Sequence, residues 1–250
     1  MASKQFAILD PAVRLNLNSI PRYAIWPAGV EAFLDQLPDA GLFDLVVTSP
    51  PHNLGKAYED RQAIEDYASW QERVIKKCFA RLQPTDSICW QVGNHILERR
   101  GGRLTSILLL DYLFHSIFDR LGLRMRNRIV WCFGHGQHCK RRFSGRYEVV
   151  LSYARTDDYD FDLDAVRIPS KYPGKEHYKG PRAGEYSSNP LGKNPEDVWG
   201  IPDVKSNHIE KTDNACQFPV ASIERPILAQ TKRYRVAIDL LATGIAKLAA

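Results

Sequence analysis

No stretch of this 250-residue chain is apolar for long enough to span a membrane as a helix; Ser106-Ile107-Leu108-Leu109-Leu110 is broken at once by Asp111. The opening Met1-Ala2-Ser3-Lys4-Gln5 lacks the apolar core of a secretory signal, so a cytoplasmic location is expected. Cysteine is sparse and odd in number. Five residues at irregular spacing argue against a disulfide framework and fit a reducing compartment. Neither charge sign dominates: a formal net charge of +5 permits a polyanionic partner without requiring one. The remaining composition, 44% hydrophobic and 25% charged, is that of an ordinary globular domain with a real core.

Strand and helix signals alternate along most of the chain. Tyr23-Ala24-Ile25-Trp26 reads as a short strand and residues 30–37 as a short helix ended by Pro38-Asp39-Ala40-Gly41. Phe43-Asp44-Leu45-Val46-Val47 is the apolar, β-branched kind of run that fills a strand buried on both faces. Over residues 64–82, Tyr67, Trp70, Val74, Cys78 and Leu82 recur at spacings of three and four, which predicts an amphipathic helix stopped by Pro84. Residues 87–92, 125–133 and 146–153 read as further strands, and residues 104–121 as a helix between Gly101-Gly102 and Gly122. Phe218-Pro219 opens a helix to about residue 231, with Pro219 suited to its first turn and Pro226 expected to kink it. Residues 235–239 form a last strand with Asp239 at its tip. The alternation predicts a layered α/β fold with a largely parallel sheet.

Two segments break the pattern. Residues 134–146 mix glycines with Lys140, Arg141, Arg142, Phe143 and Arg146, a basic loop suited to phosphates or simply to solvent. Cys132, His135, His138 and Cys139 sit too tightly to match a common zinc site, so no metal is expected. Residues 155–196 carry no periodicity; Lys171, Tyr172, Lys175, His177, Tyr178, Lys179 and Arg182 interleave cations with rings, as a nucleic-acid contact or a polar linker would.

The most informative stretch is Thr48-Ser49-Pro50-Pro51-His52-Asn53. Two prolines end the buried strand and stiffen the loop that leaves it, at the sheet edge where open α/β folds bind ligands. Such a loop suits methylation of an exocyclic amino group, whose lone pair is delocalised into the base. The Ser49 hydroxyl and the Pro50 carbonyl are fixed acceptors for the two N–H groups and favour a pyramidal, nucleophilic nitrogen. The flat ring of His52 can stack on an extruded base. A bare strand end with a Pro-Pro turn accounts for the same residues structurally.

Three stretches together resemble the bacterial amino-group DNA methyltransferases of the β arrangement, in which the catalytic motif precedes the cofactor motif. Thr48-Ser49-Pro50-Pro51-His52-Asn53-Leu54-Gly55-Lys56 is similar to the family's T-S-P-P-Y-N-x-G-K. Lys140-Arg141-Arg142-Phe143-Ser144-Gly145-Arg146-Tyr147-Glu148 is similar to K-R-F-S-G-R-Y-E. Asp197-Val198-Trp199, Lys205-Ser206-Asn207-His208 and Cys216-Gln217-Phe218-Pro219 through Glu224-Arg225 resemble the approach to the cofactor site.

The resemblance implies a Rossmann-like sheet with helices on both faces and a loop-rich insert. It implies S-adenosylmethionine as cofactor, double-stranded DNA as partner and cytosine N4 or adenine N6 as target, within a restriction-modification system and as a monomer or homodimer. Ser49, Pro50, Pro51 and His52 take the catalytic positions; Thr48, Asn53, Phe218, Pro219, Asp239 and Gly244 take cofactor positions. Lys140, Arg141, Arg142, Arg146, Lys171, Lys175 and Lys179 are then DNA contacts. Residues 1–154 make the catalytic part, 155–196 the target-recognition insert and 197–250 a cofactor part that reads as truncated. The departures are a histidine for the tyrosine, Pro27-Ala28 for a Gly-Asp, and Asp239-Leu240-Leu241-Ala242-Thr243-Gly244 for a glycine-rich cofactor loop. A relative that binds DNA without turning over is the alternative those departures raise.

Overall fold

The computed structural model describes residues 6–16, 23–55, 59–99, 103–136, 138–213, 216–231 and 237–238. Strands β1 (Phe6–Ile8) and β2 (Tyr23–Ile25) pair in parallel ahead of helix α1 (Val30–Asp35). There follow β3 (Phe43–Thr48), α2 (Ile64–Phe79), β4 (Leu82–Val92), β5 (Asn94–Arg99), β6 (Arg103–Leu109) and α3 (Leu110–Arg120). The chain continues through β7 (Arg124–Cys132), β8 (Tyr147–Ala154), β9 (Val198–Gly200), α4 (Val220–Gln230) and β10 (Ala237–Ile238).

The central sheet has the order β10-β3-β4-β8-β7-β9. Only β8 runs against the rest, antiparallel to β4 and to β7, so the sheet is largely parallel as predicted. Strand β3 is buried along its whole length because both faces are covered. Val46, Ile88, Trp90, Leu151 and Tyr153 face α1, α2 and α3; Leu45, Val47, Cys89 and Val150 face Ile223 of α4. On the first face Trp90 is enclosed edge-on by Phe114 and Phe118, at centroid separations of 6.3 and 6.0 Å.

Residues 104–109, predicted as the start of a helix, are strand β6, paired antiparallel to β5. Cross-strand pairing overrides the helical spacing there, and Thr105 and Ile107 are β-branched. Strand β4 begins at Leu82, earlier than predicted, with Pro84 inside it. The β3–β4 register breaks between Phe43 and Leu45, so Pro84 faces no ladder partner on β3. Helix α4 runs past Pro226 to Gln230. The 155–196 segment is loop-rich and ordered: Ile168 bridges Lys193, Glu176 bridges Tyr186, and Asp162 N donates to Ala229 O at 2.7 Å.

Among the described residues no helix is long and apolar enough to cross a membrane. The cysteines are free thiols. Burial pushes the Cys89 thiol from its usual 9.0 up to about 12, against weaker opposing bonds from Ser152 and Gln230. Burial likewise raises Cys78, Tyr67 and Tyr153. These groups are neutral in the fold but ionise earlier once unfolded. Their contribution is complete below pH 9 and declines as pH climbs towards 12. A urea-denaturation series at rising pH is expected to show the midpoint falling over that window; a flat midpoint would contradict the burial of these groups.

Candidate active site

Thr48 closes β3 beside Trp90 of β4, and the chain then turns out of the sheet through Ser49 and buried Pro50. The loop is held rigidly from three sides. Tyr67 Oη donates to Pro51 O at 2.7 Å, and the Glu59 carboxylate accepts from Asn53 N at 2.9 Å and Leu54 N at 2.8 Å. Asn53, with a left-handed φ of 58°, clasps Gln62: its Nδ2 donates to Gln62 O at 2.9 Å and its Oδ1 accepts from Gln62 N at 2.7 Å. The His95 ring lies 3.2 Å from His52 O through Nδ1. Arg61 braces this side by donating to Ile96 O at 3.0 Å.

His52 leans over Gly93. A Cβ on Gly93 would sit 3.0 Å from His52 Nδ1 and 3.2 Å from Glu148 Oε1, so the ring and the carboxylate converge on the space that glycine leaves. Gln91 Nε2 donates to Glu148 Oε2. His52 Nε2 is buried without a partner.

Behind the loop, between the sheet and α4, lies a narrow cavity of about 10 Å³, room for about one water molecule. Thr48, Gln91, Trp131, Phe218, Ser222 and Pro226 contribute to its wall. Two of its polar atoms, Thr48 Oγ1 and Gln91 Oε1, are buried with no hydrogen-bond partner. Pro226 has no N–H to return to the Ser222 carbonyl one turn earlier in α4. Unpaired buried polar atoms are costly, and two on one wall describe a place for a hydrogen-bonding group.

Thr48, Ser49, Pro50, Pro51 and His52 therefore meet at one edge of the sheet, and Phe218 reaches the cavity behind them. The side chain of Asn53, expected at the cofactor, hydrogen-bonds Gln62 through both its amide atoms and so folds its own loop. Pro219 is the N-cap of α4, preceding its first turn rather than occupying it. Asp239 and Gly244 lie outside the described residues. Lys140, Arg141 and Arg142 are exposed and Arg146 half-buried on the β7–β8 loop. Lys171, Lys175 and Lys179 are exposed on the 155–196 segment, Lys171 and Lys179 over the rings of Tyr172 and Tyr178. No hydrogen bond or ion pair among the described residues joins these three to the Ser-Pro-Pro loop. No group of three metal-ligating side chains among the described residues is placed to hold an ion.

Sequence reasoning missed Gln91, Gly93 and Glu148. One signal was available: a glutamine within Cys89-Trp90-Gln91-Val92, an otherwise apolar buried run, needs a polar partner or a ligand.

Residues 43–243 match a protein-family model described as DNA methylase. The chain is 44% identical over 203 residues to the type II methyltransferase M.BglII of Bacillus subtilis, which covers 81% of this chain and 55% of that protein. It is 37% identical over 216 residues to the type II methyltransferase M.ScaI of Streptomyces caespitosus, covering 84% of this chain and 67% of that one. The chain thus spans about half to two thirds of the length of these curated relatives. Among solved structures the cytosine-N4-specific PvuII DNA methyltransferase has the same fold, with a TM-score of 0.63 and 16% identity over 85% of this chain and 71% of that one.

Proposed function

This chain belongs to the N6/N4 DNA methylase family, and from that premise we propose that it transfers a methyl group from S-adenosylmethionine to the exocyclic amino group of a cytosine or adenine in double-stranded DNA. The observation that carries this reading is the rigid Thr48-Ser49-Pro50 exit from β3, set beside a cavity with unpartnered acceptors.

The unpaired polar atoms on the cavity wall suit the amino groups of the cofactor. Thr48 Oγ1 and Gln91 Oε1 offer acceptors for its N–H groups, and Phe218 supplies an apolar wall. When bound, S-adenosylmethionine supplies an electrophilic methyl on a sulfonium. The Ser49 hydroxyl and Pro50 carbonyl accept the two N–H bonds of the target amino group, which localises the nitrogen lone pair for attack. His52 stacks on the extruded base, and the bonds to Tyr67, Glu59 and Gln62 hold the loop in place before substrate arrives.

Residues 1–154 supply the catalytic part, 155–196 the target-recognition segment and 197–250 the cofactor part. Lys140, Arg141, Arg142, Arg146, Lys171, Lys175 and Lys179 contact the DNA backbone. The protein works in the cytoplasm, as a monomer or homodimer, in a restriction-modification system.

Titration calorimetry with S-adenosylmethionine tests the reading. Binding at roughly micromolar Kd is expected, and Gln91→Met is expected to weaken it about tenfold by removing one acceptor for a cationic group. Unchanged binding by that variant removes Gln91 from the cofactor. Absence of binding by the wild type, with DNA affinity retained, favours a DNA-binding module without turnover.

A further inference from the structure

The loop that joins β7 to β8 leaves the sheet at the same edge as Ser49. Cys132 pairs with Tyr147 at the end of the β7–β8 ladder, Val149 pairs with Val92 at the end of β4, and Trp90 of β4 pairs with Thr48. Two residues into β8, Glu148 meets the same glycine as the His52 ring. The loop's base is fixed: Phe133 N donates to Arg146 O at 3.1 Å, and Cys139 N to Ser144 Oγ at 3.0 Å. Between those ties stands Phe143, whose side chain is 100% exposed.

A phenyl ring held wholly in water forgoes the free energy that burying it would bring. A single exposed apolar residue needs no special account on a plain surface. This one follows directly after Lys140, Arg141 and Arg142, all exposed, at the edge where a base has to leave its stack. Cations beside an unpartnered ring suit a site where phosphates flank a gap between stacked bases.

We propose that Phe143 is a wedge that enters the duplex where the target nucleotide has left it, while Lys140, Arg141 and Arg142 neutralise the adjoining phosphates. The inference rests on the reading that the chain methylates an extruded base. The ring replaces stacking lost on extrusion, so its effect depends on how firmly the target was paired. A ring that merely touched the DNA surface, or another protein, would lack that dependence.

The test uses a duplex carrying the site that the protein methylates in plasmid DNA, mapped by sequencing. One version is fully paired, and the other has an abasic site opposite the target. In single-turnover assays Phe143→Ala is expected to slow methylation of the paired duplex about tenfold or more, and to recover most of that loss on the unpaired duplex. Phe143→Trp is expected to keep the wild-type rate on both. Arg142→Ala is expected to weaken binding to both duplexes alike and to flatten the salt dependence. Equal slowing of Phe143→Ala on the two duplexes, or no slowing on either, overturns the wedge while wild-type activity upholds the proposed function. If the wild type methylates no plasmid DNA, the wedge and the function fall together.

Discussion

Ser49→Ala is expected to reduce methyl transfer by a factor on the order of a hundred to a thousand while leaving DNA and cofactor affinity nearly unchanged. The substitution removes one oxygen and nothing of the scaffold. The turn is set by Pro50 and Pro51, by the Tyr67 bond to Pro51 O and by the Glu59 and Gln62 bonds around Asn53. None of these involves the Ser49 side chain. What goes is one of two acceptors for the amino N–H groups, so the lone pair stays delocalised and the nitrogen stays a poor nucleophile. That loss falls on the transition state more than on the ground state, hence on turnover more than on binding. Single-turnover methylation beside equilibrium binding separates the two. An unchanged rate removes Ser49 from the role assigned to it.

Arg81→Met is expected to cost roughly 3 kcal/mol of stability, lowering the thermal midpoint by about 10 °C, with little change in the rate per folded molecule. Arg81 is 4% exposed. Its Nη2 donates to Leu34 O at 2.6 Å and Leu37 O at 2.8 Å, and its Nη1 to Lys77 O at 2.6 Å. One guanidinium thus closes the C-terminal ends of α1 and α2 together, and it also pairs with Asp39 at 3.0 Å. Methionine keeps the stem and removes every donor, so several carbonyls stay buried and unmet. Arg81 stands just before β4, at the sheet edge opposite Ser49. Differential scanning calorimetry and a rate assay on the folded fraction check both halves of this expectation. A midpoint within experimental error of the wild type would contradict the shared-cap account.

The parts of the fold that sequence made legible are those fixed by local pattern. The largely apolar Phe43–Thr48 run and the three-and-four spacing of Tyr67, Trp70, Val74 and Cys78 depend only on neighbours along the chain. So does the stop at Pro50-Pro51. Residues 104–109 are a strand rather than a helix because their state is decided by β5 across the hairpin, which no helical spacing reveals. The site divides in the same way. Ser49 and Pro50 are legible because the loop's covalent stiffness is written into it. The clasp of Asn53 on Gln62, the meeting of His52 and Glu148 over Gly93, and the reach of Arg81 to Leu34 depend on contacts distant in sequence.

In the proposed reaction the Ser49 hydroxyl and the Pro50 carbonyl grip an exocyclic amino group while methyl is delivered to it. Isotope-labelled S-adenosylmethionine incubated with plasmid DNA and the protein, followed by digestion to nucleosides and mass spectrometry, shows which atom receives the methyl group. Label is expected in N4-methylcytosine or N6-methyladenine. Label on the ring carbon of cytosine, or no label in DNA at all, would contradict it.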